Sequence, residues 1–177
     1  MKNPLYHQLL IPCSSLSECA IPPKKMNPVR KSLPHDTPLW INPTQEAFFV
    51  TINGKDRSLN QFANSVAWSQ ILESISYRET RGDWHWNLIL AMPDHLHGIV
   101  YFPQRCEIRK MITEWKRWLA TQCEFEWQDG FFEHRLRNEE SAQEKTNYIR
   151  MNPVRAGFVE NSDSWPYQRD WKNDSSR

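Results

Sequence analysis

Two apolar-rich runs, WHWNLILA (84–91) and HLHGIVYF (95–102), are separated only by MPD (92–94). Each has the length and composition of one β-strand, and the short proline-bearing gap makes them an antiparallel hairpin. The rest of the chain has to cover that hairpin. EAFFVTI (46–52) is another strand candidate, closed by the turn signal Asn53-Gly54. SLNQFANSVAWSQILESISY (58–77) sets Leu59, Phe62, Val66, Ile71 and Ile75 near helical spacing, with Ser58 as the expected N-cap. Beyond Pro103, EIRKMITEWKRWLATQ (107–122) puts Ile108, Met111, Ile112, Trp115 and Leu119 on one stripe. FFEHRL (131–136), after Asp129-Gly130, reads as a further strand, and Glu139 to Asn152 as a last helix ended by Pro153 and Gly157. The order β-α-β-β-α-β-α predicts an α+β fold: a ferredoxin-like or RRM-like antiparallel sheet with helices mainly on one face. The other face, or a cleft at the last helix, is then left for a substrate.

At 177 residues there is room for one ordinary domain. Eight of the 12 prolines fall within residues 1–44, where no periodicity persists. That stretch is expected to be an irregular arm, with Met26 as an alternative start that would leave residues 1–25 untranslated. Residues 45–160 form the expected domain and 161–177 a polar tail. Mean hydropathy is −0.74 and no apolar run approaches a membrane span of about 20 residues. The four cysteines form no CxxC pair and no signal peptide precedes them, so a soluble, cytoplasmic protein with free thiols is expected. With 22 basic residues against 21 acidic ones, composition gives no argument for a polyanionic partner; any basic surface must come from local clustering. Nine tryptophans serve a core or a base-stacking platform equally well.

Chemistry is concentrated in two segments. In MPDHLHGIV (92–100), His95 and His97 are two apart on a strand, so both imidazoles leave the same face and can share one metal ion. A structural pair is the plain alternative. In NYIRMNPVRAGFV (147–159), Tyr148 and Asn152 are four apart on a helix and share a face. There the plain alternative makes Tyr148 a packing residue and Asn152 a helix-end cap before Pro153.

Together with FFVT at the first strand, Trp115-Lys116 and WQDGFFEHRLR (127–137), these segments resemble the REP-associated tyrosine transposases, in the single-tyrosine branch of the HUH endonuclease superfamily. The resemblance runs from about Phe48 to about Trp165. It implies that His95 and His97 are metal ligands flanking hydrophobic Leu96, that Tyr148 is the nucleophile, and that Asn152 is the third ligand. Related insertion-sequence transposases often carry glutamine at that last position, and many relatives have asparagine where Asp94 stands. The implied activity is strand transfer on single-stranded, hairpin or REP-like DNA through a covalent 5′-phosphotyrosine. The linkage keeps the bond energy for rejoining.

A phenol with a pKa of about 10 is a weak nucleophile at neutral pH, and a divalent ion would polarise the phosphate. Two imidazoles and one amide oxygen suit Mg²⁺ or Mn²⁺. Candidate DNA contacts are Arg109, Lys110, Lys116 and Arg117 on one helix, and His134, Arg135, Arg137, Arg150 and Arg155 near the site. Trp165 and Tyr167 are candidates for base stacking. His85 is expected to be structural, and Glu46 and Glu133 have no spacing that promotes them as ligands. Two alternatives remain open: a catalytically silent hairpin-binding protein derived from a transposase, and an HUH replication initiator. A cupin-like metalloenzyme is disfavoured by the three helices and only five glycines. A monomer or a homodimer is compatible with all of this.

Overall fold

A computed structural model describes residues 47–103, 106–136 and 139–171. The proline-rich arm, Glu46, Arg137 and the last residues of the chain lie outside that set.

The elements run β1 (Ala47–Asn53), α1 (Ser65–Thr80), β2 (His85–Ala91), β3 (His95–Tyr101), α2 (Ile108–Cys123), β4 (Phe132–Leu136), α3 (Glu139–Arg150), α4 (Asn152–Arg155), a 3₁₀ turn (Ser162–Ser164) and β5 (Gln168–Asp170). The sheet order is β4-β1-β3-β2-β5 and every pairing is antiparallel. The first four strands thus keep the 4-1-3-2 order of a split β-α-β pair, and the α+β expectation holds. No helix among the described residues is long and apolar enough to cross a membrane.

Strand alternation divides the core in two. Phe48, Val50 and Ile52 of β1, with Leu96 and Val100 of β3, pack under α1 and α2. Phe49 of β1, Leu88 and Leu90 of β2, and Ile99 of β3 face the other way, where Ile149 of α3 and Trp165 cover them. The second face is therefore not left open: α3 crosses it. Burying a side chain such as Ile149, fully inaccessible here, contributes about 1.5–3 kcal/mol to holding α3 there.

Helix α2 follows its stripe, with Ile108, Ile112, Trp115 and Leu119 all buried. Helix α1 begins later than expected. Its N-cap is Asn64, whose side chain accepts from the Ala67 N–H at 2.9 Å, while Ser58 bonds to Asp56 instead. The reason is Phe62. It is drawn into the core and stacks on Trp127 with ring centroids 4.7 Å apart, and its N–H and that of Gln61 both donate to Pro93 O. Residues 58–64 consequently form a strap over the MPD turn.

Residues 161–171, expected as polar tail, fold back onto the sheet. β5 pairs with β2, Ala91 N–H donates to Tyr167 O at 2.8 Å, and the buried Trp165 indole donates to Ala91 O at 2.9 Å. Trp165 also packs against Phe158 and Tyr167. Three residues with no apolar alternation carry no strand signal, so β5 exists because its partner edge and Trp165 bring it there.

Candidate functional site

The MPD turn is fastened from three sides. Gly54 N–H donates to Asp94 O at 2.8 Å, Gln61 N–H to Pro93 O at 2.8 Å, and the Arg57 guanidinium to the Asp94 carboxylate at 2.5 Å. Just beyond that turn, His95 and His97 open β3 on the face covered by α3, and both are buried. The His95 Nδ1 lies 2.7 Å from Asp94 Oδ1, and His97 Nδ1 lies 2.8 Å from Thr51 Oγ1 on the neighbouring strand. Each ring is thus oriented through Nδ1, and the two Nε2 atoms meet at 3.1 Å. In the tautomers where Asp94 accepts the His95 Nδ1 hydrogen and Thr51 Oγ1 accepts that of His97, both Nε2 atoms present lone pairs, and lone pairs so close call for a proton or a cation between them. Where Thr51 donates instead, a His97 Nε2–H spans the 3.1 Å gap.

A cation bound at about 2.1 Å to two nitrogens holds them roughly 3 to 3.5 Å apart, so this pair fits one. Asp94 and Thr51 are the outer partners that such ligands ordinarily have. Burial alone would raise the Asp94 carboxyl, but the hydrogen bond from His95, with the hydrogen bond and charge of Arg57, holds it well below the usual carboxylate range. Among the described residues no group of three or more His, Cys, Asp and Glu side chains gathers as a metal cluster. Further ligands would have to be amide, phosphate or water oxygens.

α3 brings Tyr148 to the same face. Its ring stands 5.8 Å from the His97 ring at 70° and 6.1 Å from Phe49, edge-on, while 39% of the residue stays exposed. The phenol therefore borders the histidine pair and remains open to a ligand. Asn152 sits where α3 passes into α4. Its Nδ2 donates to Tyr148 O at 2.9 Å and to Ile149 O at 3.4 Å. Pro153 has no N–H to offer Ile149 O, and the Asn152 amide takes up that role. The capping function is thus real, and it leaves Oδ1 as the only Asn152 side-chain atom able to act as a ligand.

The basic candidates separate. Arg155 places its guanidinium 5.0 Å from the Tyr148 ring centre, and His134, exposed on β4, shares the Tyr148 face through its register with Phe49. Arg150 forms an ion pair with Asp170 of β5, so it ties the end of α3 to the sheet. Arg135 pairs with Phe48 in register and so leaves the α2 side of β4. Arg117 and Lys110 are exposed on α2, which packs on that same far side, and Arg109 is bonded there to Glu133.

Lys116 corrects the DNA-contact expectation most clearly. It is buried, and its amine donates to Gln128 O at 2.8 Å and Gly130 O at 2.6 Å. Burial lowers its pKa, partly offset by the charge of Asp129. Position 116 is four beyond Ile112, so helical spacing alone put it on the buried stripe. Trp165 is core rather than a base-stacking platform, and His85 is exposed at the start of β2 with its Nδ1 2.8 Å from Glu79. Two contributors were not singled out from sequence: Thr51, which the register sets opposite His97, and Lys145. The Lys145 amine lies 5.4 Å from the Tyr148 ring centre and 5.3 Å from that of Phe49. Its signal was available, since 145, 148 and 152 are spaced as one helix face.

No family model matches the chain. A protein of Haemophilus influenzae named among the REP-associated tyrosine transposases is 27% identical over 144 residues, covering 68% of this chain and 77% of its own. The REP-associated tyrosine transposase of Escherichia coli K12 is 30% identical over 84 residues, and the matched part spans about half its length, 51%, and 46% of this chain. In fold, the chain is similar to a REP-associated tyrosine transposase solved bound to a REP hairpin, with a TM-score of 0.67 at 22% identity over 86% of this chain and 87% of that one. In sequence this chain is similar to proteins named REP-associated tyrosine transposases, and in fold to a solved one.

Proposed function

We propose that this chain is a metal-dependent single-tyrosine HUH strand transferase that nicks and rejoins single-stranded DNA, with hairpin or REP-like elements as its substrate class. The observation that carries the reading is the convergence of two Nε2 atoms at 3.1 Å with the open Tyr148 ring beside one of them. The relatives' names, and the REP hairpin held by the similar solved protein, support the choice of DNA.

In this reading His95, His97 and the Asn152 Oδ1 hold Mg²⁺ or Mn²⁺, which supplies charge to polarise the scissile phosphate. The protein's own groups do the rest. Asp94 and Thr51 fix the imidazole tautomers, and α3, anchored by Ile149, aims the phenol at the phosphorus. The Tyr148 oxygen forms the new P–O bond as the bond to the 3′ oxygen breaks, giving a 5′-phosphotyrosine and a free 3′-hydroxyl. A second 3′-hydroxyl reverses the step on another end. All these residues come from one chain, so a monomer suffices for the chemistry.

Labelled single-stranded hairpins incubated with the protein and Mg²⁺ or Mn²⁺ should yield an adduct that survives denaturing gels. Tyr148→Phe should abolish that adduct and leave hairpin binding within about twofold, since one hydroxyl is lost from an exposed site. Adducts that persist in the variant refute the nucleophile; hairpin binding without any adduct in the wild-type protein favours a silent binder.

A further inference from the structure

The Tyr148 ring is flanked by two cations from two helices. Lys145, one turn earlier on α3, holds its amine 5.4 Å from the ring centre, and Arg155 at the end of α4 holds its guanidinium 5.0 Å from it. Neither cation forms an ion pair with a carboxylate among the described residues. Several other basic groups are spoken for, Arg57 by Asp94, Arg109 by Glu133, Arg150 by Asp170 and Lys116 by two carbonyls, whereas Lys110 and Arg117 stay exposed on α2, away from the phenol. Two uncompensated cations on one exposed phenol, beside a pair of imidazoles, repel each other. Stacking over a ring offsets little of that repulsion for cations that stay in contact with water. An anion between them turns the repulsion into attraction.

We propose that Lys145 and Arg155 grip the scissile phosphate against Tyr148, each contacting a non-bridging oxygen; the assignment rests on the strand-transfer reading above. As phosphorus passes from the 3′ oxygen to the phenol oxygen, charge on the non-bridging oxygens is met by both cations. The phenol's proton passes to water and the leaving 3′ oxygen takes one up, so the step balances without any further reactant. The fork of Arg155 suits two oxygens, whereas Lys145 offers a movable point charge.

The test uses binding with the divalent ions chelated, so it does not depend on turnover. The wild-type adduct first marks the reacting linkage. A hairpin carrying a neutral methylphosphonate at that linkage should bind the wild-type protein about tenfold more weakly than the natural one, as expected for losing charge-assisted hydrogen bonds. The Lys145→Gln/Arg155→Gln protein should bind both hairpins alike, and Lys145→Arg and Arg155→Lys should restore part of the discrimination. Lys145→Met, which keeps the apolar stem over the two rings, should behave as Lys145→Gln does; this separates charge from packing. A double variant that still discriminates tenfold overturns the proposal while leaving Tyr148 as nucleophile. A wild-type protein that forms no adduct removes the strand-transfer reading, and the phosphate grip with it.

Discussion

Asp94 touches no substrate in this reading, yet it fixes the His95 ring. Its carboxylate is held ionised by His95 and Arg57 despite its burial, so the hydrogen on His95 stays at Nδ1 and the Nε2 lone pair stays available. Removing such a partner typically lowers metal affinity by about 10–100-fold. Asp94→Ala should therefore weaken Mn²⁺ binding by that factor in titration calorimetry, and an unchanged affinity refutes the orienting role. Asn152 makes a different demand, because one amide serves two carbonyls through nitrogen and is asked to serve a cation through oxygen. Asn152→Asp keeps an oxygen but turns repulsive acceptors toward Tyr148 O and Ile149 O. The substitution should cost roughly 1 kcal/mol of stability even without metal, seen as a lower midpoint in chemical denaturation.

The β2–β3 hairpin depends on one missing side chain. A Cβ at Gly98 would stand 2.2 Å from the Trp86 ring and 2.9 Å from Leu88 O, so the indole occupies the space over β3 that any other residue would fill. Gly98→Ala should cost about 1–3 kcal/mol by overpacking, measured as a fall in thermal midpoint, and should loosen the two histidines that precede it. The hairpin and α2 were legible in the sequence because one periodicity runs through each. The His pair was legible because alternation alone sets both rings on one face. The start of α1 was not, since Phe62 keeps helical spacing with Val66 while its tertiary contacts pull it out of the helix. β5 was illegible too, as Gln168–Asp170 has no apolar residue to mark it. Lys116 was misread because its charge outweighed its position, although the stripe from Ile112 already ran through it. That the phenol would border the imidazoles was implied by family resemblance; spacing within each segment could not relate them.

At the scale of the molecule, the C-terminal stretch belongs to the domain. Ending the chain at residue 160 would remove β5, the buried Trp165 and the Asp170 partner of Arg150 together. Such a truncation should lower the thermal midpoint by several degrees, in line with a loss of about 2–4 kcal/mol, whereas ending it after residue 171 should leave the described contacts whole. Ala91 shows why this bears on the site. Four residues before His95, its amide and its carbonyl are both taken by this stretch, through Tyr167 and Trp165. Local opening that frees the last strand therefore also unfastens the strand leading into the imidazoles. By linkage, whatever stabilises the imidazoles must disfavour that opening: added Mn²⁺ should retard deuterium uptake at the Ala91 amide, whose partner is the Tyr167 carbonyl of the returning stretch.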